Sequence, residues 1–213
     1  MIKDAKKILA KVKKLYWGLN WPGIYTYWRF WEYPRYIKME KMLPKKGIIV
    51  DLGCGYGIFT NFLAATGPKR QIIAMENDKD KIRVANKGFP NVSYTTQDIT
   101  QAKIPQADAI ILMHVLHHLE SYQEQEKLLT EVCKKLKKDG TLLIDEVYNQ
   151  PAWKRHFGRV VDFLLYPFQP IFYRFQPEMI KLLKKYPLEL VKVENVDGRF
   201  MPFAEVVYLC RKK

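Results

Sequence analysis

The stretch Val50–Ala64, VDLGCGYGIFTNFLA, decides the fold. It joins an apolar run to a segment of helical character through Gly53, Gly55 and Gly57, three glycines in five residues. Glycine loses more backbone freedom on ordering than other residues, so such a cluster marks a sharp turn or a backbone that another group approaches closely. At a strand-to-helix turn it also lets a ligand come near exposed amides at the helix start. Taken alone, the pattern fits a dinucleotide fold or a structural turn as well.

Working outward, the pattern is regular from Gly47. GIIVDLG reads as a strand, GIFTNFLAATG as a helix closed by Gly67, RQIIAMEND as a second strand and DKDKIRVANKG as a helix ending at Gly88. NVSYTTQDI is a third strand, and ADAIILMHV a fourth, apolar nearly throughout as a strand buried on both faces should be. YQEQEKLLTEVCKKLKKDG reads as a helix with acids early and lysines late, and TLLIDEV as a fifth strand. This alternation predicts a largely parallel sheet with helices on both faces. Past Val147 the rhythm breaks, and residues 149–177 form an aromatic, proline-punctuated, basic insertion. PEMIKLLKKY then reads as a helix, and LELVKVENV and FAEVVYLCRK as strands whose short DGRFMP connection favours an antiparallel hairpin.

The glycine turn has companions. Glu76 ends the second strand, where a carboxylate can accept both hydroxyls of a ribose. Asp98 ends the third, where it could meet an adenine amino group, with Ile99 beside it to pack the ring. With VDLGCGYG, DAIILMHVLHHL and LKKDGTLLIDEV, the segment from about Gly47 to Val147 resembles the class I S-adenosylmethionine-dependent methyltransferases. The resemblance implies a Rossmann-like, mostly parallel seven-stranded α/β sheet with helices on both faces and an antiparallel final strand. It implies S-adenosyl-L-methionine as cofactor, with Asp51 orienting its methionine end, Glu76 on the ribose and Asp98 on the adenine. The expected cofactor-binding set is Asp51, Gly53, Cys54, Gly55, Gly57, Glu76, Asn77, Asp98, Ile99 and Met113; many relatives have a small or polar residue where Met113 stands.

His114, at the end of the fourth strand, is the leading candidate for a base or acceptor-positioning group, and His117 is the second catalytic candidate. His118 reads as a packing residue and His156 as surface or lid. No convincing further ligands accompany the histidines, so no metal is expected.

The chain has 213 residues, enough for one core, and the expected division is 1–46 basic aromatic extension, 47–147 cofactor-binding core, 148–177 insertion or lid, and 178–213 terminal helix and strands. Its net charge of +14 is uneven: residues 1–47 carry 12 Lys or Arg against 3 acids, whereas residues 48–149 carry 12 against 13. Residues 2–16 form a basic amphipathic pattern, followed by eight Tyr or Trp between Tyr16 and Tyr33. These segments suit either packing on the domain or attachment to an anionic membrane surface. No stretch reaches the roughly 20 apolar residues that span a bilayer. Cys54, Cys133 and Cys210 lack disulfide or zinc spacing, pointing to a reducing compartment. The expectation is a cytoplasmic methyltransferase, free or peripheral on the inner face of the membrane, acting on a small-molecule or lipid-like acceptor. A nucleic-acid methyltransferase is the first alternative, disfavoured by the lack of an RNA-binding module or an NPPY-type motif, and a non-catalytic cofactor-binding protein the second.

Overall fold

The computed structural model describes residues 2–18, 33–148, 150–165, 170–196 and 204–213. Most of the aromatic run after Trp17, part of the basic insertion and the DGRFMP connection lie outside the described residues.

Helix α1 (Ile2–Lys14) and helix α2 (Tyr33–Met42) precede the core. The core alternates β1 (Gly47–Leu52), α3 (Ile58–Thr66), β2 (Arg70–Glu76), α4 (Lys79–Ala85), β3 (Val92–Thr96) and β4 (Ala107–Met113). A 3₁₀ turn (Leu116–His118), α5 (Tyr122–Lys135) and β5 (Leu136–Val147) complete it. After α6 (Ala152–Leu165) and α7 (Gln176–Leu183), the chain ends in β6 (Leu188–Asn195) and β7 (Glu205–Lys212).

The seven strands are ordered β3-β2-β1-β4-β5-β7-β6. β1 to β5 pair in parallel, while β7 runs antiparallel to both neighbours, as expected for the terminal hairpin. Successive strand residues point to opposite faces, and this period of two divides the core. Val50, Leu52, Ile110, Leu112, Leu142 and Ile144 join α5 and α7 on one face. Their neighbours Ile49, Ala109, Ile111 and Leu143 join α1, α2 and α3 on the other. Both layers are apolar, which explains why the central strands read as continuous hydrophobic runs.

Two expectations are corrected. The helix expected to run to Gly140 ends at Lys135, because Leu136 already pairs with Ala107; the ladder then slips, and Thr141 pairs with Ala109. Helix α4 stops at Ala85, capped by Asn86, short of Gly88. The insertion at residues 149–177 includes the 14-residue helix α6.

Candidate functional site

The strand order reverses between β1 and β4, and in open parallel sheets the crevice beyond the carboxyl ends at this point is where ligands bind. The glycine turn stands there. Gly53 N and Cys54 N both donate to Met75 O of β2, at 2.8 and 3.0 Å, and Gly57 N donates to Cys54 O at 2.9 Å. All three glycines have positive φ, but their surroundings differ. A Cβ on Gly53 would stand 2.6 Å from Val115 Cγ2, and one on Gly57 2.7 Å from Ala85 Cβ. At Gly55 it would meet nothing within 4 Å among the described residues. The outer glycines therefore permit close packing, and the middle one turns its backbone to open space.

Glu76 is buried against this loop. Its Oε2 accepts from Gly55 N at 2.9 Å and its Oε1 from Asn77 N and Asp78 N at 3.0 and 3.2 Å. Asp51, also buried, accepts from Thr60 Oγ1 at 2.5 Å. Burial pushes the Asp51 carboxyl up to about 6; the Thr60 bond opposes this and the Glu76 charge adds to it. Burial likewise raises the Cys54 thiol well above its ordinary value. Asp98 lies past the end of β3, exposed, and accepts from Thr100 N and Oγ1 at 2.9 and 2.8 Å. Ile99 packs on the core and Asn77 is exposed. The loop holding Asp98 is tied to β2 by Gln97 N donating to Glu76 O at 2.9 Å. Asp51, the glycines, Glu76 and Asn77 thus share one corner, with Asp98 and Ile99 on the adjoining strand end.

The histidines occupy two distinct networks. His114, with φ of 54°, follows Met113, and its Nε2 lies 3.0 Å from Glu205 Oε1 and 3.2 Å from Arg35 Nη1. Arg35, fully buried, pairs with Glu205 and lies 3.4 Å from Asp145 Oδ2, while its Nη2 reaches Met113 Sδ at 4.0 Å. His117, buried, shares a short hydrogen bond between its Nδ1 and Glu146 Oε2, and Leu116 N donates to Glu146 Oε1 at 2.9 Å. Burial works against a charged His117, but the Glu146 carboxylate carries its pKa above the ordinary histidine value. His118 is pushed down to about 3 by burial and by His117. Asp145 and Glu146, adjacent on β5, supply the acids of the two networks from opposite faces of the sheet.

Arg35, Glu146, Glu205 and Tyr173, whose ring stacks on His117 at 5.1 Å, were not anticipated. Adjacent acids ending an apolar strand were a readable signal for Glu146; Arg35 and Glu205 reach the site from elements distant in sequence. Among the described residues, the ligand atoms of His114, Asp145 and Glu205 cluster closely enough for a metal, as do those of His117, His118 and Asp162. In the first group the Arg35 guanidinium already supplies the positive charge, and in the second His117 Nδ1 is engaged by Glu146.

Residues 50–144 match a family model described as a methyltransferase domain. The carboxy-S-adenosyl-L-methionine synthase of Helicobacter pylori is 32% identical over 113 residues, 50% of this chain and 45% of that protein. The chain spans about half or less of the length of the curated relatives it matches. Among solved structures, the N-methyltransferase NodS of Bradyrhizobium japonicum WM9, in complex with S-adenosyl-L-homocysteine, superposes with a TM-score of 0.65 at 18% identity, covering 84% of this chain and 85% of that one. The 1,6-didemethyltoxoflavin-N1-methyltransferase of Burkholderia thailandensis, with 1,6-didemethyltoxoflavin and S-adenosylhomocysteine bound, gives 0.67 at 16% identity, covering 85% and 78%. At these identities the likeness is one of fold.

Proposed function

We propose that the chain is a class I S-adenosylmethionine-dependent methyltransferase, a reading supported by the methyltransferase-domain match over residues 50–144 and by the shared fold, and that it methylates a small organic acceptor. The observation that carries this reading is the corner where Gly55 faces open space beside the buried carboxylates of Glu76 and Asp51. These residues fit the cofactor's chemistry. Glu76, its two oxygens fixed by backbone amides, offers lone pairs to paired hydroxyls; Asp51 offers an acid to an amino group; and Asp98 and Ile99 offer an acceptor and an apolar surface to a purine.

When bound, S-adenosylmethionine supplies an electrophilic methyl group on a sulfonium. The chain's part is to align an acceptor with it and to exclude water. Where the acceptor carries a proton, His117 is the group to take it. Its Nδ1 is committed to Glu146, which leaves Nε2 as the proton-accepting nitrogen and raises its basicity. His114, held by Arg35 and Glu205, positions the end of β4.

A lipid-like acceptor met at an anionic membrane surface is favoured by α6. Trp153, Phe157, Val160 and Leu164 follow helical spacing and are all exposed, with Leu164 at 70%. Lys154 and Gly158 face inward, so the helix turns its apolar stripe to the outside. Exposed Lys6, Lys7, Lys11 and Lys14 on α1 give the charge such a surface would attract. No helix among the described residues is long and apolar enough to cross a membrane.

The test is calorimetric titration with S-adenosylhomocysteine, followed by transfer of labelled methyl groups into lipid, small-molecule and RNA fractions of a cell extract. Label in a lipid or small-molecule fraction supports the proposal. Label confined to RNA moves it to a nucleic-acid substrate, and binding without transfer makes the protein a cofactor binder. Absence of binding removes the proposal.

A further inference from the structure

Beyond the end of β5, α6, residues 171–175 and the start of α7 line a partly open cavity of about 200 Å³. Its walls include Arg155 and Arg159 of α6, Tyr148, Tyr173, Phe175 and Glu178. The two arginines stand one helical turn apart, which puts them on one face. Neither forms an ion pair with a carboxylate among the described residues. Among the described residues, Arg155 Nε is buried with no hydrogen-bond partner, and its Nη2 reaches His156 Nε2 at 3.4 Å. The guanidinium of Arg159 lies 5.9 Å from the centre of the Tyr173 ring.

A buried guanidinium donor left unbonded is costly, and its fork geometry matches a carboxylate or phosphate. The remaining walls are largely aromatic, suited to an apolar body. Glu178 turns Oε2 to Phe175 N at 2.9 Å and makes its wall negative, so an anion would orient toward α6. Tyr173 is shared: its ring lines the cavity and stacks on His117.

We propose that this cavity is the acceptor subsite, and that it takes a ring-sized apolar molecule through one carboxylate or phosphate group bound by Arg155 and Arg159. The placement beside His117 rests on the methyl-transfer reading; the anion site itself does not.

The experiment is calorimetric titration of the full chain with benzoate, phenyl phosphate and benzamide, with and without saturating S-adenosylhomocysteine. Both anions should bind, with benzamide at least about tenfold weaker. Arg155→Gln and the exposed Arg159→Gln should each lower anion affinity by about tenfold while leaving benzamide and S-adenosylhomocysteine binding unchanged, the latter reporting an intact fold. Tighter phenyl phosphate points to a phosphate-bearing acceptor, and tighter benzoate to a carboxylic acid. Equal binding of benzoate and benzamide, binding by none of the three, or undiminished anion affinity in the double variant overturns the subsite. If the wild-type chain binds anions but not S-adenosylhomocysteine, the methyl-transfer reading fails and the anion site stands.

Discussion

Gly53, Gly55 and Gly57 share a backbone sign yet answer to different neighbours, and substitution separates them. Gly53→Ala combines left-handed strain of about 1–2 kcal/mol with a clash against Val115 that overpacking costs put at about 1–3 kcal/mol more. Gly55→Ala should carry the strain alone, so urea denaturation should rank Gly53→Ala clearly below it, while Gly55→Ala loses more S-adenosylhomocysteine affinity. Asp51 adds a pH signature. Its folded pKa of about 6 lies above the ordinary 3.8, so its contribution to stability is full below the lower value and is lost as pH rises through about 6. An amino group bound to Asp51 selects the ionised form. Thermal melts should therefore show a stabilisation by S-adenosylhomocysteine that grows from pH 5 to pH 7, and Asp51→Asn should flatten that growth. His117 sets the other limb: its raised pKa places the acid-side inflection of kcat/KM above pH 6.5, and His117→Asn should abolish it. Asp51, Glu76 and the glycines were legible because they lie near a strand end or in the turn itself, at fixed spacing from one another. Arg35 was not, because one cation in a segment rich in lysine carries no mark of burial.

At the scale of elements, Arg35 fastens α2 to the ends of β5 and β7 through Asp145 and Glu205. Removing one partner of a buried pair leaves uncompensated charge. Arg35→Met should accordingly destabilise by about 3–5 kcal/mol, measured as a lower urea midpoint, and should disturb His114. The strands were legible from apolar runs and the hairpin from its short connection. Helix α6 was hidden, since its apolar positions Trp153, Phe157, Val160 and Leu164 face outward and the prolines around it read as loop. The end of α5 was misplaced because KKDG continues a helical charge pattern, while Leu136 gains more by joining the ladder with Ala107.

For the whole molecule, the parallel core was legible and its two apolar layers follow from the period of two, but the packing of α1 on α3 was not. That packing is settled by Leu9, Val12 and Tyr16, all buried beside Phe59, Phe62 and Leu63. Lys6, Lys7, Lys11 and Lys14 of α1 are left to the outside. Vesicle flotation at low salt should retain the wild-type protein on anionic but not neutral vesicles, and Trp153→Ser with Leu164→Ser should reduce retention without changing the melting temperature by more than a few degrees.

Tyr16, at the foot of α1, donates its hydroxyl to Tyr56 O inside the glycine turn and accepts from Asn61 Nδ2, which in turn links Tyr94 and Ala85. A molecule clasped by that turn therefore also steadies the amino-terminal helix. Amide hydrogens of residues 9–16 should exchange more slowly once S-adenosylhomocysteine is added, and Tyr16→Phe should uncouple the two, leaving the helix to breathe at the same rate with or without its distant cargo.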